Sequence, residues 1–161
     1  MKKTLSLLLI ACAIFSCNKP CNKPGGECTL QNTRFEDSGC AKNAGVKSTY
    51  GDKPSTITLK YEKGGLRVII NNFLMNCSIT HGGIGCEVTM DGNIITYYVF
   101  ENDGPTVNCC CPVETITSVV EGLEEGKHYA LKFSGYSAID FTFEKGLISI
   151  TDLDSLDILD F

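Results

Sequence analysis

The amino-acid sequence predicts an all-β fold, an antiparallel β-sandwich or partly open barrel of about eight short strands, stapled by disulfides and preceded by a tether. Three observations support this prediction. From Ser55 onward apolar and polar residues alternate with a period of two, and turn signals separate the alternating runs. No segment keeps a long helical period. Beyond residue 17 the chain carries eight cysteines, an even number that suits a set of disulfide bonds.

Residues 1–16 have the composition of a secretory signal peptide. Two lysines form a positive start, an apolar run covers residues 5–15, and the small residue Ser16 precedes Cys17. The apolar run is shorter than the roughly 20 residues that a membrane-spanning helix needs. The order Ile-Phe-Ser-Cys that ends at Cys17 resembles the lipobox of bacterial lipoproteins. This resemblance implies cleavage before Cys17 and a lipid on its sulfur.

A lipid on Cys17 implies a protein of the cell envelope. We expect it on the outer membrane, with the periplasmic and the surface-facing orientation both left open. Residues 17–27 contain Cys-Asn-Lys-Pro twice and then two glycines, with nothing apolar to bury, so we predict a flexible tether. Residues 28–161 are predicted to form a single β-domain, a length that can enclose a real core.

The acidic composition excludes some partners. The formal net charge is −5, and cleavage of residues 1–16 would remove two lysines and make it −7. Nucleic-acid binding needs a basic stripe, so we expect no nucleic-acid partner. We expect membrane contact through the acyl chains on Cys17 rather than through charge. An envelope protein or a glycan remains a candidate partner of the domain.

The predicted strands begin after a polar, aperiodic stretch at 28–54, in which we predict no strand. Residues 56–61 alternate apolar with polar, and residues 66–70 continue one face after a turn. Asp91-Gly92 is the dipeptide of a type I′ hairpin and joins the runs on either side of it. The remaining runs are 86–90, 93–100, 113–120, 129–133, 139–143 and 147–151.

The cysteines fall into three predicted groups. Cys12 lies in the signal peptide and Cys17 carries the lipid. The others are disulfide candidates, because an exported domain meets an oxidising compartment: Cys21, Cys28, Cys40, Cys77, Cys86, Cys109, Cys110 and Cys111. We expect the last three to be tied, at least in part, to Cys77 and Cys86. Direct pairing of Cys28 with Cys40 is left open as a second hypothesis.

Several motifs follow one another in a set order between residues 55 and 135. Asn76-Cys77 precedes a glycine-rich loop that ends at Cys86, then come Asn-Cys-Cys-Cys-Pro-Val at 108–113 and Gly-Leu-Glu-Glu-Gly-Lys-His-Tyr at 122–129. This order resembles a group of small, uncharacterised lipoproteins of Bacteroides-type bacteria. The resemblance implies no activity. This sequence departs from the Cys-x-Cys-aromatic-Asp pattern of that group, because Pro112 follows the cysteines. The disulfide pairing therefore stays open.

A thiol-dependent or metal-binding site is the alternative interpretation. Cys109, Cys110 and Cys111 could act with Cys77, Cys86 and His81, since thiolate-rich sites select zinc or copper(I). His81 and Cys86 could also form a nucleophilic pair. However, no Cys-x-x-Cys pair occurs in the sequence, and we predict no metal and no other cofactor. We therefore expect a binding or structural domain without catalytic residues, and we keep the envelope enzyme as the alternative.

Overall fold

The structure, a computed structural model, describes residues 28–40, 53–102 and 110–158. The signal peptide, the lipidation site and the tether predicted above lie outside these residues. Within them, no helix is long and apolar enough to cross a bilayer. The described chain forms strands β1 (Cys28–Thr29), β2 (Asn32–Asp37), β3 (Thr56–Glu62), β4 (Gly65–Asn76), β5 (Ile84–Asp91), β6 (Ile94–Glu101), β7 (Cys110–Glu121), β8 (His128–Phe133), β9 (Ile139–Thr142) and β10 (Ile148–Asp152).

These strands form two sheets that share one core, so the prediction of an all-β, sandwich-like fold is confirmed. The first sheet has the order β1-β5-β6-β8-β9, and the second has the order β10-β3-β4-β7-β2. Among the described residues neither sheet closes on itself, so these strands form no closed barrel. Neighbouring strands are antiparallel with one exception, the parallel pair of β6 and β8. This exception arises because β7 lies in the second sheet, so the chain re-enters the first sheet in the direction of β6.

The core follows the period-two pattern seen in the sequence. Alternate residues of β4, such as Val68 and Ile70, are fully buried, and their neighbours in sequence face outward. Aromatic rings fill the space between the sheets. The Phe133 ring lies 5.2 Å from the Phe73 ring and 6.1 Å from the Tyr97 ring, measured between centroids. The predicted Asp91-Gly92 hairpin is also confirmed, since β5 ends at Asp91 and β6 begins two residues after Gly92.

The prediction of no strand in residues 28–54 is wrong, because β2 lies there and pairs with β7. The register of this pair shifts between Thr33 and Glu36, and Arg34 has a φ of 52°. A bulge of this kind breaks the alternation of side chains along the strand. The strand is also at the edge of its sheet and contains a single large apolar residue, Phe35. Because of these features, β2 lacks the alternation of apolar and polar residues that identifies the other strands in the sequence.

Candidate functional site

A disulfide joins the end of β2 to β7 at one end of the second sheet. It links Cys40 to Cys111, which lie 71 residues apart in sequence with Cα atoms 5.7 Å apart. Cys111 is buried, and the neighbouring backbone of Cys40 bridges to Val113. Cys77, just after β4, is disulfide-bonded as well. The expected disulfide staples therefore exist at this end of the domain.

The expected pairing is wrong for Cys86 and Cys111, whereas a bond between Cys77 and Cys109 stays a prediction. Cys111 pairs with Cys40, not with Cys77 or Cys86, and Cys40 therefore does not pair with Cys28. Cys86 and Cys110 are free thiols, contrary to the prediction that they are paired. The physical reason is the missed strand, because β2 carries Cys40 alongside β7. Cys21 and Cys109 lie outside the described residues, as does the side chain of Cys28.

The buried carboxylate of Asp37, the last residue of β2, bonds to the loop between β4 and β5 at residues 77–83, which we call the His81 loop. It accepts hydrogen bonds from the backbone N–H of Gly39 at 2.9 Å and of Gly82 at 3.1 Å. Gly39 has a φ of +63°, and a Cβ at this position would come within 2.5 Å of the backbone nitrogen of His81. Only glycine fits such a close approach. Asp37 and Gly39 together hold the His81 loop in place, next to the Cys40–Cys111 disulfide.

Two clefts open on the outer face of the second sheet. One, with a volume of about 510 Å³, is lined by Glu36, Asp37, Ser38, His81, Thr115 and Thr117. The other, of about 540 Å³, is lined by Lys53, Pro54, Thr56, Asn71, Asn72 and Glu114. The imidazole of His81 is exposed at the first cleft. The lining of the second cleft is predominantly polar. Neither cleft was predicted from the sequence.

A row of uncharged polar side chains connects the two clefts, and we call it the polar ladder. It consists of Thr56, Asn71, Thr115 and Ser38, taken in order across β3, β4, β7 and the end of β2. The Asn71 amide donates to the Thr56 hydroxyl at 3.3 Å, and the Thr115 hydroxyl donates to the Asn71 carbonyl at 3.4 Å. The Ser38 hydroxyl accepts the backbone N–H of Thr115 at 3.1 Å. Hydroxyl and amide groups therefore stand side by side on four chain segments.

Cys86 lies in a different environment, between the sheets. Burial raises the pKa of its thiol to about 11, and hydrogen bonds with Tyr97 and Asn32 only partly oppose this effect. The Tyr97 hydroxyl pairs with the Ser118 hydroxyl at 2.6 Å, and burial raises the pKa of Tyr97 as well. At neutral pH Cys86 is therefore protonated, and a protonated thiol is a poor nucleophile and a poor metal ligand.

The structure does not bring the other predicted catalytic and metal candidates together. His81 packs beside Gly39, and none of the described contacts joins it to Cys86. Among the described residues, no group of three or more His, Cys, Asp and Glu side chains is arranged to hold a metal ion. His128 is exposed, with its Nε2 atom 3.6 Å from a carboxylate oxygen of Asp140. It is a surface histidine.

The fold and the site define a disulfide-bonded, two-sheet β-domain with a row of polar side chains on the outer face of its second sheet. Comparisons with protein-family models, with curated proteins and with solved structures find no match for this chain. The resemblance to small lipoproteins stays a prediction. Any functional conclusion depends on the chemistry of the site itself.

Proposed function

We propose that this chain is a lipid-anchored protein of the cell envelope whose β-domain binds a ligand and performs no catalysis. The observation that carries the binding role is the polar ladder between two clefts. The leader at 1–16 and the Ser16-Cys17 order support the anchor. The Cys40–Cys111 bond supports export, because such bonds persist in oxidising compartments.

The polar ladder favours a neutral ligand that carries hydroxyl groups. Its amide and hydroxyl side chains offer donors and acceptors side by side, and a sugar presents the same two functions. Two carboxylates, Glu36 and Asp37, line the first cleft and disfavour an anion there. The second cleft sets Glu114 against Lys53, so its lining has no net charge. A glycan of the envelope is the ligand class that fits these groups. The strands beneath the ladder are held by the sheet and the disulfide, so its groups are preorganised.

The groups with chemical potential are already engaged, which supports binding over catalysis. The Asp37 carboxylate accepts the backbone N–H groups of Gly39 and Gly82. Catalysis needs a nucleophile or base within reach of an activating partner. In the alternative site, Cys77 and Cys111 are oxidised and Cys86 is protonated. No described contact favours the thiol or metal chemistry over binding.

We expect Cys17→Ser to move the protein from the membrane fraction to the soluble fraction. The reason is that the acyl chains on this residue supply the hydrophobic attachment. Membrane fractionation of cells that express either form measures the effect, and mass spectrometry of the N-terminal peptide detects the lipid. Cys110→Ser is the matched control and should stay with the membrane. An unmodified Cys17 on a protein that remains in the membrane fraction would contradict the anchor.

We expect the double change Asn71→Ala and Thr115→Ala to weaken glycan binding by about tenfold or more, since each lost hydrogen bond contributes about 1 kcal/mol. A glycan array with the purified chain identifies the ligand, and calorimetry measures the affinity. Thr96→Ala, an exposed threonine of β6 in the other sheet, is the control and should bind normally. If the wild type binds no glycan, or if the double variant binds as tightly as the wild type, a glycan site on the polar ladder is contradicted.

A further inference from the structure

No described strand pairs with the outer side of β10, so the second sheet ends there in an open edge. Leu147 accepts the backbone N–H of Tyr61 at 3.0 Å, and Leu153 donates to the backbone carbonyl of Ser55 at 2.8 Å. Residues of an antiparallel strand alternate between bonding to one side and to the other. The intervening odd-numbered residues therefore bond to β3. The backbone N–H and C=O groups of Ile148 and Ile150 point away from β3, toward the open edge.

The side chains of this edge are apolar and exposed. Ile148 is 64% exposed and Ile150 is 69% exposed, both on the outer face of the sheet. The pairing of β10 with β3 is regular along its whole length, without a bulge. Natural proteins avoid regular, apolar edge strands, because such strands recruit further strands. An edge of this kind is therefore expected to have a partner.

The other three sheet edges carry the usual protection. β2 has the bulge and the charged Arg34 described above. β1 consists of two residues, and β9 consists of four with the exposed Asp140 among them. Short, charged or bulged edges do not pair readily with another chain. The contrast marks β10 as the edge suited to strand pairing.

We propose that β10 pairs antiparallel with β10 of a second copy of this chain, so that the two second sheets continue across a two-fold axis. The sequence of the edge specifies the second copy, because Ile148-Ser149-Ile150 reads the same in both directions. With Ser149 on the axis, Ile148 lies opposite Ile150 of the second copy. Each such pair exchanges two backbone hydrogen bonds and places two isoleucine side chains in contact.

Charge supports the antiparallel direction. Lys145, whose side chain is 79% exposed, precedes β10. Asp152 is the last residue of β10, and Asp154 follows it. Antiparallel pairing brings the lysine turn of one copy to the acidic end of the other. Parallel pairing would place Asp152 of one copy beside Asp152 of the other, and the two like charges would repel. Glu125 lies 3.8 Å from the lysine and offsets part of its charge, so the backbone and the isoleucines carry most of the contact.

Sedimentation of the full chain in detergent tests this pairing, with proline as the probe. Ile150→Pro removes an N–H that no hydrogen bond among the described residues uses, and edge strands tolerate proline at such a position. We expect a folded monomer with a dissociation constant raised by about tenfold or more. Ser149→Pro removes an N–H that bonds to β3, and we expect loss of folded protein instead. The different outcomes of the two proline variants distinguish the open side of β10 from the side that bonds to β3.

A second variant and a control complete the design. Ile150→Lys charges the edge without altering its backbone and should also abolish the dimer, which keeps the test decisive if the proline variant does not fold. Leu74→Lys is the matched control, because Leu74 is a similarly exposed apolar residue (61%) that pairs with Pro112 of β7 and lies away from the β10 edge. It should leave the dimer intact. A monomeric wild type at all concentrations, or a dimer that survives both Ile150 changes, would overturn the proposal.

Discussion

Replacing both Cys40 and Cys111 with alanine is expected to lower the free energy of unfolding by about 4 kcal/mol. The bond closes a loop defined by a sequence separation of 71 residues, and a longer loop gains more from closure in the chain-entropy model. Urea denaturation under non-reducing conditions measures the change. The midpoint should fall, and the slope with denaturant should rise, because the unfolded chain without the bond is less compact and exposes more surface.

Cys110→Ala serves as the control for this pair. Cys110 is a free, exposed thiol directly before Cys111 in sequence. Its replacement should change the free energy of unfolding by less than about 0.5 kcal/mol, as is usual for surface positions. A double alanine variant as stable as the wild type would show that the disulfide contributes nothing to the fold.

Asp37→Ala should lower the free energy of unfolding by about 2 to 3 kcal/mol, because hydrogen bonds to a charged group are lost and a buried donor is left unsatisfied. The largest loss is at the N–H of Gly39, which is buried, whereas the N–H of Gly82 belongs to an exposed residue that water can reach. Thermal and urea unfolding both report the change. Proteolysis of the His81 loop should increase in parallel, because Asp37 holds that loop in place.

Two neighbouring variants decide the interpretation of Asp37. Asp37→Asn keeps one side-chain acceptor and should cost less than the alanine variant. Glu36→Ala alters the adjacent, exposed carboxylate and should be close to neutral. Equal losses for alanine and asparagine at position 37 would show that the carboxylate charge, rather than its role as an acceptor, stabilises the loop.

The regular strands could be predicted from the sequence because they are half-buried. In β8 and over residues 66–70 of β4, burial alternates residue by residue, and that alternation is visible as apolar and polar letters. β2 could not be found in this way, because its partner β7 and its bulge decide its conformation more than its own residues do. The hairpin at Asp91-Gly92 was predictable because its chemistry is local.

The candidate site was largely hidden from sequence reasoning. Alternation in β7 indicates that Thr115 and Thr117 share one face, and this was the available signal. The polar ladder also requires the register of β3 against β4 and of β4 against β7, which the tertiary structure sets. The same holds for the partner of Cys111. An even number of cysteines predicts pairing in general, but proximity in the fold decides which two sulfurs meet.

The parallel pair of β6 and β8 has a consequence for how the chain folds. The chain leaves the first sheet after β6, passes through β7 in the second sheet, and returns as β8. Neither sheet can be completed before the other has begun to form, and the bonds between β4 and β7 must close over the intervening β5 and β6. Topologies rich in such distant contacts fold slowly, in milliseconds to seconds. The two halves of this domain should therefore unfold as one cooperative unit.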